Sequence, residues 1–390
     1  CKFDEMIPSE QINQFRLIDS EGKDIPYQIQ DIQRNTTVRA PRAFYGEKKD
    51  CYHITFTASL PPMGYAEYKV VPSQKPVRFF DSLRTGDYRA ENPFLILEVT
   101  PEGNIKLTHK KTGQVYDNLL HYKDNGETGD GWTTRPPVPD RKVLSSGAAS
   151  IECTFDGPCA CTFCITHILL LPKKTVYHRQ YTARSPETES FTIKTFVTLS
   201  KHASYLQCAT QVENHIKDHR LILSLKTGIS SDTYTVEQAF AFIERSTGVD
   251  KNTHDWKEAD CAGKSFSHIV YRKRPDNSGF AFLSGGGLHE CAALAQEDGQ
   301  LDICLFRSFD KTFLTDGQPD GQLQGTLTFT YALLPFDQTM THSSLVQLKD
   351  SLQVPVFAYT APVSKDYLPC ISPEGFSLQK QQASISLIEP

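Results

Sequence analysis

Residues 121–141 read HYKDNGETGDGWTTRPPVPDR and form the most unusual stretch of the chain. Gly126, Gly129 and Gly131 permit backbone angles that other residues disfavour, and the proline pair 136–137 fixes the path by which the chain leaves. The pattern predicts neither a helix nor a strand. It predicts a long shaped loop, which in compact domains is usually either functional or disordered.

One of the two tryptophans of the chain, Trp132, lies in this loop between Asp130 and Arg135. A large aromatic ring is costly to leave loose in water, which argues against disorder. An aromatic ring beside charged groups can contact a sugar, because the ring stacks on the apolar face of a pyranose while the charged groups bind its hydroxyls. The alternative is a structural loop whose tryptophan packs into the core, and this stretch by itself favours that alternative.

Short runs of alternating apolar residues, separated by turn residues, cover most of the remaining sequence. Such runs predict strands. Little of the chain has a helical period, and the best helical candidate, residues 235–245, could equally be a strand. We therefore predict a mostly β chain: a small β-sandwich over residues 1–76, a large β-domain of stacked sheets or a closed barrel over residues 77–345, and additional strands over residues 346–390.

Charge and composition exclude several classes of function. A net charge of −5 over 390 residues gives no support to a nucleic-acid partner. No apolar run reaches the roughly 18 residues of a membrane-spanning helix, and the first residues contain no apolar signal segment. Because position 1 is Cys rather than Met, we expect a fragment of a longer protein. Eleven cysteines without regular spacing predict mostly free thiols in a reducing compartment, hence a cytoplasmic location.

The densest cluster of candidate metal ligands is Cys159, Cys161 and Cys164, with His167 nearby. Their spacing is irregular, and no second ligand pair follows as it does in structural zinc sites. The surrounding residues alternate as in a strand. We therefore predict that these thiols are small buried hydrophobic groups and that the chain has no metal site.

Catalytic motifs are missing from the sequence. There is no G-x-S-x-G elbow, no lysine after the glycines 285–287 as in a phosphate loop, and no His-x-Asp pair. Arg307 lies in the apolar strand LDICLFRSF, where a charge is costly unless it is paired or faces a site; the alternative is an edge position with the side chain reaching water. Residues 218–220 interrupt two apolar strands, and we predict a polar turn with local hydrogen bonds there.

Several motifs, in order along the chain, resemble glycoside hydrolase family 38, the α-mannosidases. The stretch ENPFLILEVTPEGNIKLTHKKTGQVYDNLLHYKDNGETGDGWTTRPP resembles the start of that family's large C-terminal β-domain, although many members have tyrosine near the position of Trp132. NHIKDHRLIL, and FRS at 306–308 followed by PDGQLQ, resemble later strands and loops of the same domain. The preceding unit, which ends LPPMGYAEYKVV, is similar to the family's linker sandwich.

The resemblance implies a galactose-mutarotase-like supersandwich over residues 77–345. It implies that the chain is the C-terminal, non-catalytic region of a zinc-dependent retaining α-mannosidase. The zinc and an aspartate nucleophile would lie on an N-terminal catalytic barrel of the same polypeptide. We therefore expect no catalytic residue and no cofactor in this chain, and no activity from it alone.

The same resemblance makes Asp130, Trp132 and Arg307 candidates for one wall of the cleft that binds a mannose-containing glycan. It also implies a surface on which the catalytic barrel docks, and it leaves a homo-oligomer open. Two other functions remain open. An aldose-1-epimerase-like enzyme would need a histidine acid and a carboxylate base facing one cavity, for which His167, His178 and Glu290 are available. A free-standing carbohydrate-binding β-domain is the third interpretation.

Overall fold

The fold is described by a computed structural model that covers residues 14–39, 44–60, 64–73, 75–256, 259–293, 298–311, 317–354 and 356–358. These residues form mainly antiparallel strands, which confirms the predicted mostly β class. No helix in the described ranges has both the length and the apolar content needed to cross a membrane.

A small unit comes first, with strands β1 (Gln14–Asp19), β2 (Tyr27–Val38), β3 (Glu47–Phe56) and β4 (Tyr68–Ser73). β1 pairs with β4 and β2 pairs with β3, both antiparallel. The two pairs enclose a cluster of buried side chains, Phe15, Leu17, Tyr27 and Tyr52. This arrangement is the small β-sandwich that the sequence predicts. Gln28 ties it to the larger unit by accepting hydrogen bonds from the backbone N–H groups of Cys159 and Ala160, both at 3.2 Å.

The larger unit contains the remaining strands and one α-helix. In chain order they are β5 (Arg84–Gly86), β6 (Arg89–Glu91), β7 (Leu95–Val99), β8 (Ile105–His109), β9 (Gln114–Leu119), β10 (His121–Gly126), β11 (Val143–Leu144), β12 (Ser150–Phe155), β13 (Ala160–Pro172), β14 (Thr175–Tyr177), β15 (Thr182–Arg184), β16 (Thr188–Ser200), β17 (Leu206–Asn214), β18 (His219–Lys226), β19 (Thr233–Gln238), β20 (Ala241–Ser246), β21 (Lys264–Ser265), β22 (Ile269–Lys273), β23 (Gly279–Ser284), β24 (Glu290–Ala293), β25 (Gln300–Arg307), β26 (Gly325–Phe336) and α1 (His342–Gln353). Short 3-10 helices lie at Lys251–Thr253 and Pro319–Gln322.

Two large sheets dominate this unit. One has nine strands in the order β12-β13-β16-β17-β26-β23-β22-β19-β20, and the other has six in the order β11-β10-β18-β25-β24-β21. β5 to β9 form a five-stranded sheet that contributes to the same core. The stacked sheets are the supersandwich that the resemblance implies. The segment 235–245, for which helix and strand were both open, belongs to the antiparallel pair β19–β20.

Alternation along the strands places apolar side chains between the two sheets. Leu221, Leu223 and Leu225 of β18 point inward and share one core with Phe163 and Ile165 of β13. Strands β17 and β18, although consecutive in the chain, belong to opposite sheets. The short segment between them therefore crosses the edge of the sandwich, and the candidate site described below is built around this crossing.

The segment after the large domain differs from the prediction of further strands. Helix α1 begins after Thr341, whose hydroxyl oxygen accepts a hydrogen bond from the backbone N–H of Ser344 at 3.1 Å, as an N-cap does. Leu345, with Val346, Leu348 and Leu352, packs on the outer face of the nine-stranded sheet. This spacing of apolar residues is helical and was not recognised in the sequence. The helix replaces the predicted strands only up to Gln353; the rest of that prediction falls mostly on residues 355 and 359–390, which lie outside the described residues.

The cysteine cluster is buried, as predicted. Cys161 lies in the core with its Sγ 4.0 Å from Cys153 Sγ, and Cys159 Sγ lies 3.6 Å from the carbonyl oxygen of Pro26. The nine cysteines in the described ranges are free thiols, and those ranges contain no group of three or more His, Cys, Asp or Glu placed to hold a metal ion. That the chain binds no metal stays a prediction. Stoichiometric zinc in the purified chain, lost on Cys161→Ser, would contradict it.

A pH dependence of stability follows from His167, which is buried and whose Nε2 lies 3.1 Å from the carbonyl oxygen of Glu102. Its Nδ1 has no hydrogen-bond partner among the described residues, and burial lowers its pKa. The folded form resists protonation while the unfolded chain binds a proton below about pH 6.5. The free energy of unfolding should therefore fall as the pH decreases below that value.

Urea denaturation at several pH values between 7.5 and 5 measures this dependence. His167→Gln cannot take up the proton, so its stability should fall less steeply over the same range. Other histidines with lowered pKa values, such as His109 and His121, remain in both proteins. Equal slopes for the variant and the unmodified chain would contradict the assignment to His167.

Candidate functional site

The conspicuous glycine-rich and proline-rich stretch is only partly a loop. Residues 121–126 form strand β10, contrary to the prediction, because Tyr122 and Asp124 alternate inward as strand residues do. The loop itself begins at Glu127 and leads to β11. It turns sharply at Gly129, where an added Cβ would collide with the carbonyl oxygen of Thr133. Glycine at this position is therefore required by a close approach of the backbone.

A buried ion pair holds the loop in shape. The Glu127 carboxylate is fully buried, and its Oε1 accepts hydrogen bonds from the backbone N–H groups of Gly129 at 2.7 Å and Arg135 at 2.9 Å. Its Oε2 lies 2.9 Å from Nε of Arg307. Nη2 of Arg307 donates to the carbonyl oxygens of Asp130 at 2.8 Å and Thr133 at 3.1 Å. Both partners of this salt bridge therefore form hydrogen bonds to the backbone of the loop.

Asp130 shapes the tip of the loop. Its Oδ1 accepts hydrogen bonds from the backbone N–H groups of Thr133 at 2.8 Å and Trp132 at 2.9 Å, and these bonds lower the pKa of the carboxyl. The turn that they form projects Trp132 outward, with 74% of its surface exposed. The interpretation of Trp132 as a core residue is therefore wrong, and its ring is free to stack on a ligand.

Arg307 does not occupy an edge strand, because β25 lies between β18 and β24. The side chain is mostly buried, and its guanidinium lies 5.2 Å from the ring centre of Phe309, a cation–π distance. Its Nε and Nη2 groups both donate hydrogen bonds to residues of the loop. Nη1 makes no hydrogen bond to the described residues. The structure thus brings Asp130, Trp132 and Arg307 together at one loop.

The prediction of a local polar turn at residues 218–220 is wrong. His219 is fully buried; its Nδ1 lies 2.6 Å from Asp124 Oδ2, and its Nε2 lies 3.0 Å from Asn214 Oδ1. Asp124 also pairs with Arg184, with 2.5 Å between Oδ1 and Nη2. Arg220 reaches in the opposite direction, to Glu290 on β24. These contacts connect distant strands and support the base of the loop.

A second group of aromatic side chains lies beside the loop. The hairpin β14–β15 is joined to the loop by an antiparallel bridge between Val138 and Thr182. It carries the half-exposed Tyr177, with the Lys311 ammonium 3.7 Å from the ring centre. Tyr177 and Lys311 thus form a cation–aromatic pair on the hairpin next to the loop.

Sequence reasoning missed Glu127, Phe309 and the role of Asp218. A glutamate between glycines reads as a solvated loop residue, since buried glutamates are rare. Phe309 lies two residues after Arg307, beyond the end of β25, and no sequence motif marks it. Asp218 was noted, but the sequence does not show that its partners are more than forty residues away.

The groups named for an epimerase lie on different elements and have different partners. His167 is buried on β13 of the nine-stranded sheet against Glu102. Glu290 lies on β24 of the six-stranded sheet and pairs with Arg220. His178 stacks on Tyr181 with 4.3 Å between the ring centres. No hydrogen bond or ion pair joins these three residues to one another in the part of the chain that the structure describes.

Replacing Arg307 with alanine should lower the free energy of unfolding by about 3 kcal/mol, because it leaves the buried Glu127 carboxylate without its cation. Urea denaturation measures the change. Arg16→Ala is the matched control, since Arg16 pairs with Asp24 at the surface with both side chains about half exposed. Solvent screens that exposed pair, so its loss should destabilise the chain much less than the loss of Arg307. Equal losses in the two variants would show that the Glu127–Arg307 pair does not stabilise the loop.

Comparison with known proteins agrees with this architecture. The family model described as the glycosyl hydrolases family 38 C-terminal domain matches residues 90–320. A solved structure of an α-mannosidase from Enterococcus faecalis V583 has a TM-score of 0.77 and 22% identity over 88% of this chain and 40% of that one. A family 38 glycosyl hydrolase from Enterococcus faecalis has a TM-score of 0.78 and 21% identity, covering 92% of this chain and 43% of that one.

A curated protein from Halalkalibacterium halodurans, named "Putative mannosylglycerate hydrolase", is 24% identical over 265 residues, which are 63% of this chain and 28% of that protein. The chain therefore spans less than half the length of these relatives. The match to the family model extends over more than half of the 390 residues. On that basis, the chain belongs to the C-terminal domain family of the glycosyl hydrolases of family 38.

Proposed function

We propose that this chain is the non-catalytic C-terminal region of a zinc-dependent retaining α-mannosidase and that the loop from Glu127 to Arg135 forms part of the wall of its sugar-binding cleft. The observation that carries the proposal is the exposed ring of Trp132, held outward by Asp130 at the junction with Arg307. An aromatic face beside polar groups suits a pyranose, which has an apolar face and a rim of hydroxyls.

Each of the three residues has a separate role in this proposal. Trp132 would stack on the sugar. Asp130 uses Oδ1 within the loop, and its other carboxylate oxygen would accept a hydrogen bond from a sugar hydroxyl. Arg307 would act mainly by fixing the loop, with Nη1 available for one further acceptor. The proposed ligand is a mannose-containing glycan.

The same end of the large domain would contact the catalytic barrel. Trp132, Val138, Tyr177 and Tyr181 leave apolar surface exposed around the loop and the hairpin, and contiguous apolar surface is typical of interaction sites. The solved relatives are more than twice as long as the part that this chain matches. A docking role for this surface is compatible with a domain of a larger polypeptide.

The zinc ion belongs, in this proposal, to the catalytic barrel. The described residues offer no group of three or more acidic, histidine or cysteine side chains that could hold it. When bound in the barrel, zinc would bind sugar hydroxyls; this chain would supply contacts to the sugar and exclude water from one side. The free thiols of the described cysteines favour the cytoplasmic location that we propose.

Replacing Trp132 with alanine tests the cleft wall in the protein extended upstream to include the barrel. Because the ring is largely exposed, stability should change by less than about 0.5 kcal/mol. KM for an aryl α-mannoside should rise about ten-fold if roughly 1.4 kcal/mol of contact is lost. Trp256→Ala is the control, since that tryptophan is also exposed but lies elsewhere, after the 3-10 helix at Lys251–Thr253. Equal kinetics for both variants would refute the role of Trp132.

The chain by itself should not hydrolyse α-mannosides, even with added zinc, whereas the extended protein should. Turnover of an aryl α-mannoside by both proteins measures this difference. A mannoside of glycerate is the second substrate to assay, because the curated relative is named for such a compound. Activity of the isolated chain would overturn the proposal. Sugar binding with no activity in either protein would favour a free-standing carbohydrate-binding domain.

A further inference from the structure

Asp218 lies at the corner where the chain passes from β17 in the nine-stranded sheet to β18 in the six-stranded sheet. Its backbone is left-handed, with φ at 54°, a conformation that aspartate tolerates better than most residues. The side chain is mostly buried, with 8% of the residue exposed. A buried carboxylate at a corner must find hydrogen-bond donors close by.

Three separate segments supply those partners. The backbone carbonyl oxygen of Asp218 accepts the N–H of Glu127 at 2.8 Å, where the loop begins. Its Oδ2 accepts the N–H of Thr175 at 3.2 Å, where the hairpin begins. Its Oδ1 accepts a hydrogen bond from Nε2 of Gln322 at 2.7 Å, and Gln322 Oε1 accepts the N–H of Asp218 at 2.9 Å.

Each connected segment leads to one ring of what we call the aromatic rim, Trp132, Tyr177 and Phe309. Glu127 starts the loop that presents Trp132, and Thr175 starts the strand that ends at Tyr177. Gln322 holds the segment around Phe309, because its Oε1 lies 2.8 Å from Ser308 Oγ and the Phe309 N–H donates to the carbonyl oxygen of Gly321. Asp218 is the residue that these three paths share.

We propose that Asp218 is a positioning residue that sets the three parts of the aromatic rim relative to one another, and so determines how the rim meets a sugar. The consequence for sugar binding rests on the proposed function. The positioning itself does not, because it depends only on hydrogen bonds within this chain.

The polarity of these hydrogen bonds permits a specific test. Both carboxylate oxygens of Asp218 face donors, Thr175 N–H and Gln322 Nε2. In Asp218→Asn, one position becomes an NH₂ group, so either orientation of the new amide points a donor at a donor. Gln322 cannot turn over to relieve the conflict, because its Oε1 is needed to accept the Asp218 N–H.

The double variant Asp218→Asn with Gln322→Glu reverses the pair and restores every bond. The new asparagine would donate its NH₂ to the glutamate carboxylate and accept from Thr175 with its oxygen. The glutamate would still accept the backbone N–H at position 218. Net charge equals that of the unmodified chain, so the double variant differs only in which partner carries the carboxylate.

Trp132 fluorescence in this chain, with Trp256→Phe as the common background, measures the position of the loop without any activity. We expect Asp218→Asn to shift the emission maximum and the acrylamide quenching of Trp132, and the double variant to return both to their original values. Asp310→Asn is the control, because Asp310 is exposed nearby and the change removes the same charge. An unshifted Trp132 signal in Asp218→Asn would overturn the proposal. So would a double variant that fails to fold or fails to restore the signal.

In the extended protein, Asp218→Asn should raise KM for an aryl α-mannoside about ten-fold with little change in kcat, and the double variant should restore KM. If the fluorescence shifts and recovers as expected but KM does not change, the positioning stands and the proposed cleft wall is wrong. The positioning role of Asp218 and the cleft-wall role of the loop can therefore be refuted independently of each other.

Discussion

The apolar contact between the six-stranded and nine-stranded sheets is the constraint on which the rest of the large domain depends. Apolar surface of this extent supplies most of the favourable free energy of folding, and any polar group that enters the contact must bring its partners with it. Asp124 does so with Arg184 and His219. Tyr122 does so with Thr195 at 2.6 Å and Thr210 at 3.0 Å. The contacts of Tyr122 join the six-stranded sheet to the nine-stranded sheet, because Thr195 and Thr210 lie on β16 and β17.

The candidate site lies at one end of the stacked sheets, where the strands end and buried polar side chains replace the apolar core. Glu127 directly follows β10 and Arg307 ends β25; β18 lies between these two strands, and the two side chains meet at its end. Hydrogen bonds from these two side chains to the backbone hold the loop in its conformation. In this conformation Trp132 projects outward. A loop whose backbone is held by hydrogen bonds in this way has less conformational entropy to lose when a ligand binds.

The strands and the mostly β class could be predicted, because alternation and turn residues are local properties of the sequence. The outward position of Trp132 could not, since the stretch around it favoured a core position for the ring, which is 74% exposed. The burial of Glu127 could not, since the residue that neutralises it is 180 positions away in the chain. For the same reason, residues 218–220 read as a local turn although His219 pairs with Asp124 on another strand. Helix α1 was missed because its apolar residues are few and its N-cap is a single threonine.

We propose that the exposed loop forms one wall of a sugar-binding cleft that another part of the polypeptide completes. A crystal structure of the extended protein with a bound mannose-containing ligand tests this assignment most directly. We expect the ring of Trp132 to lie within about 4 Å of the sugar, at van der Waals contact, with Arg307 still paired with Glu127. A ligand bound far from the loop, with Trp132 open to solvent, would refute the cleft-wall role.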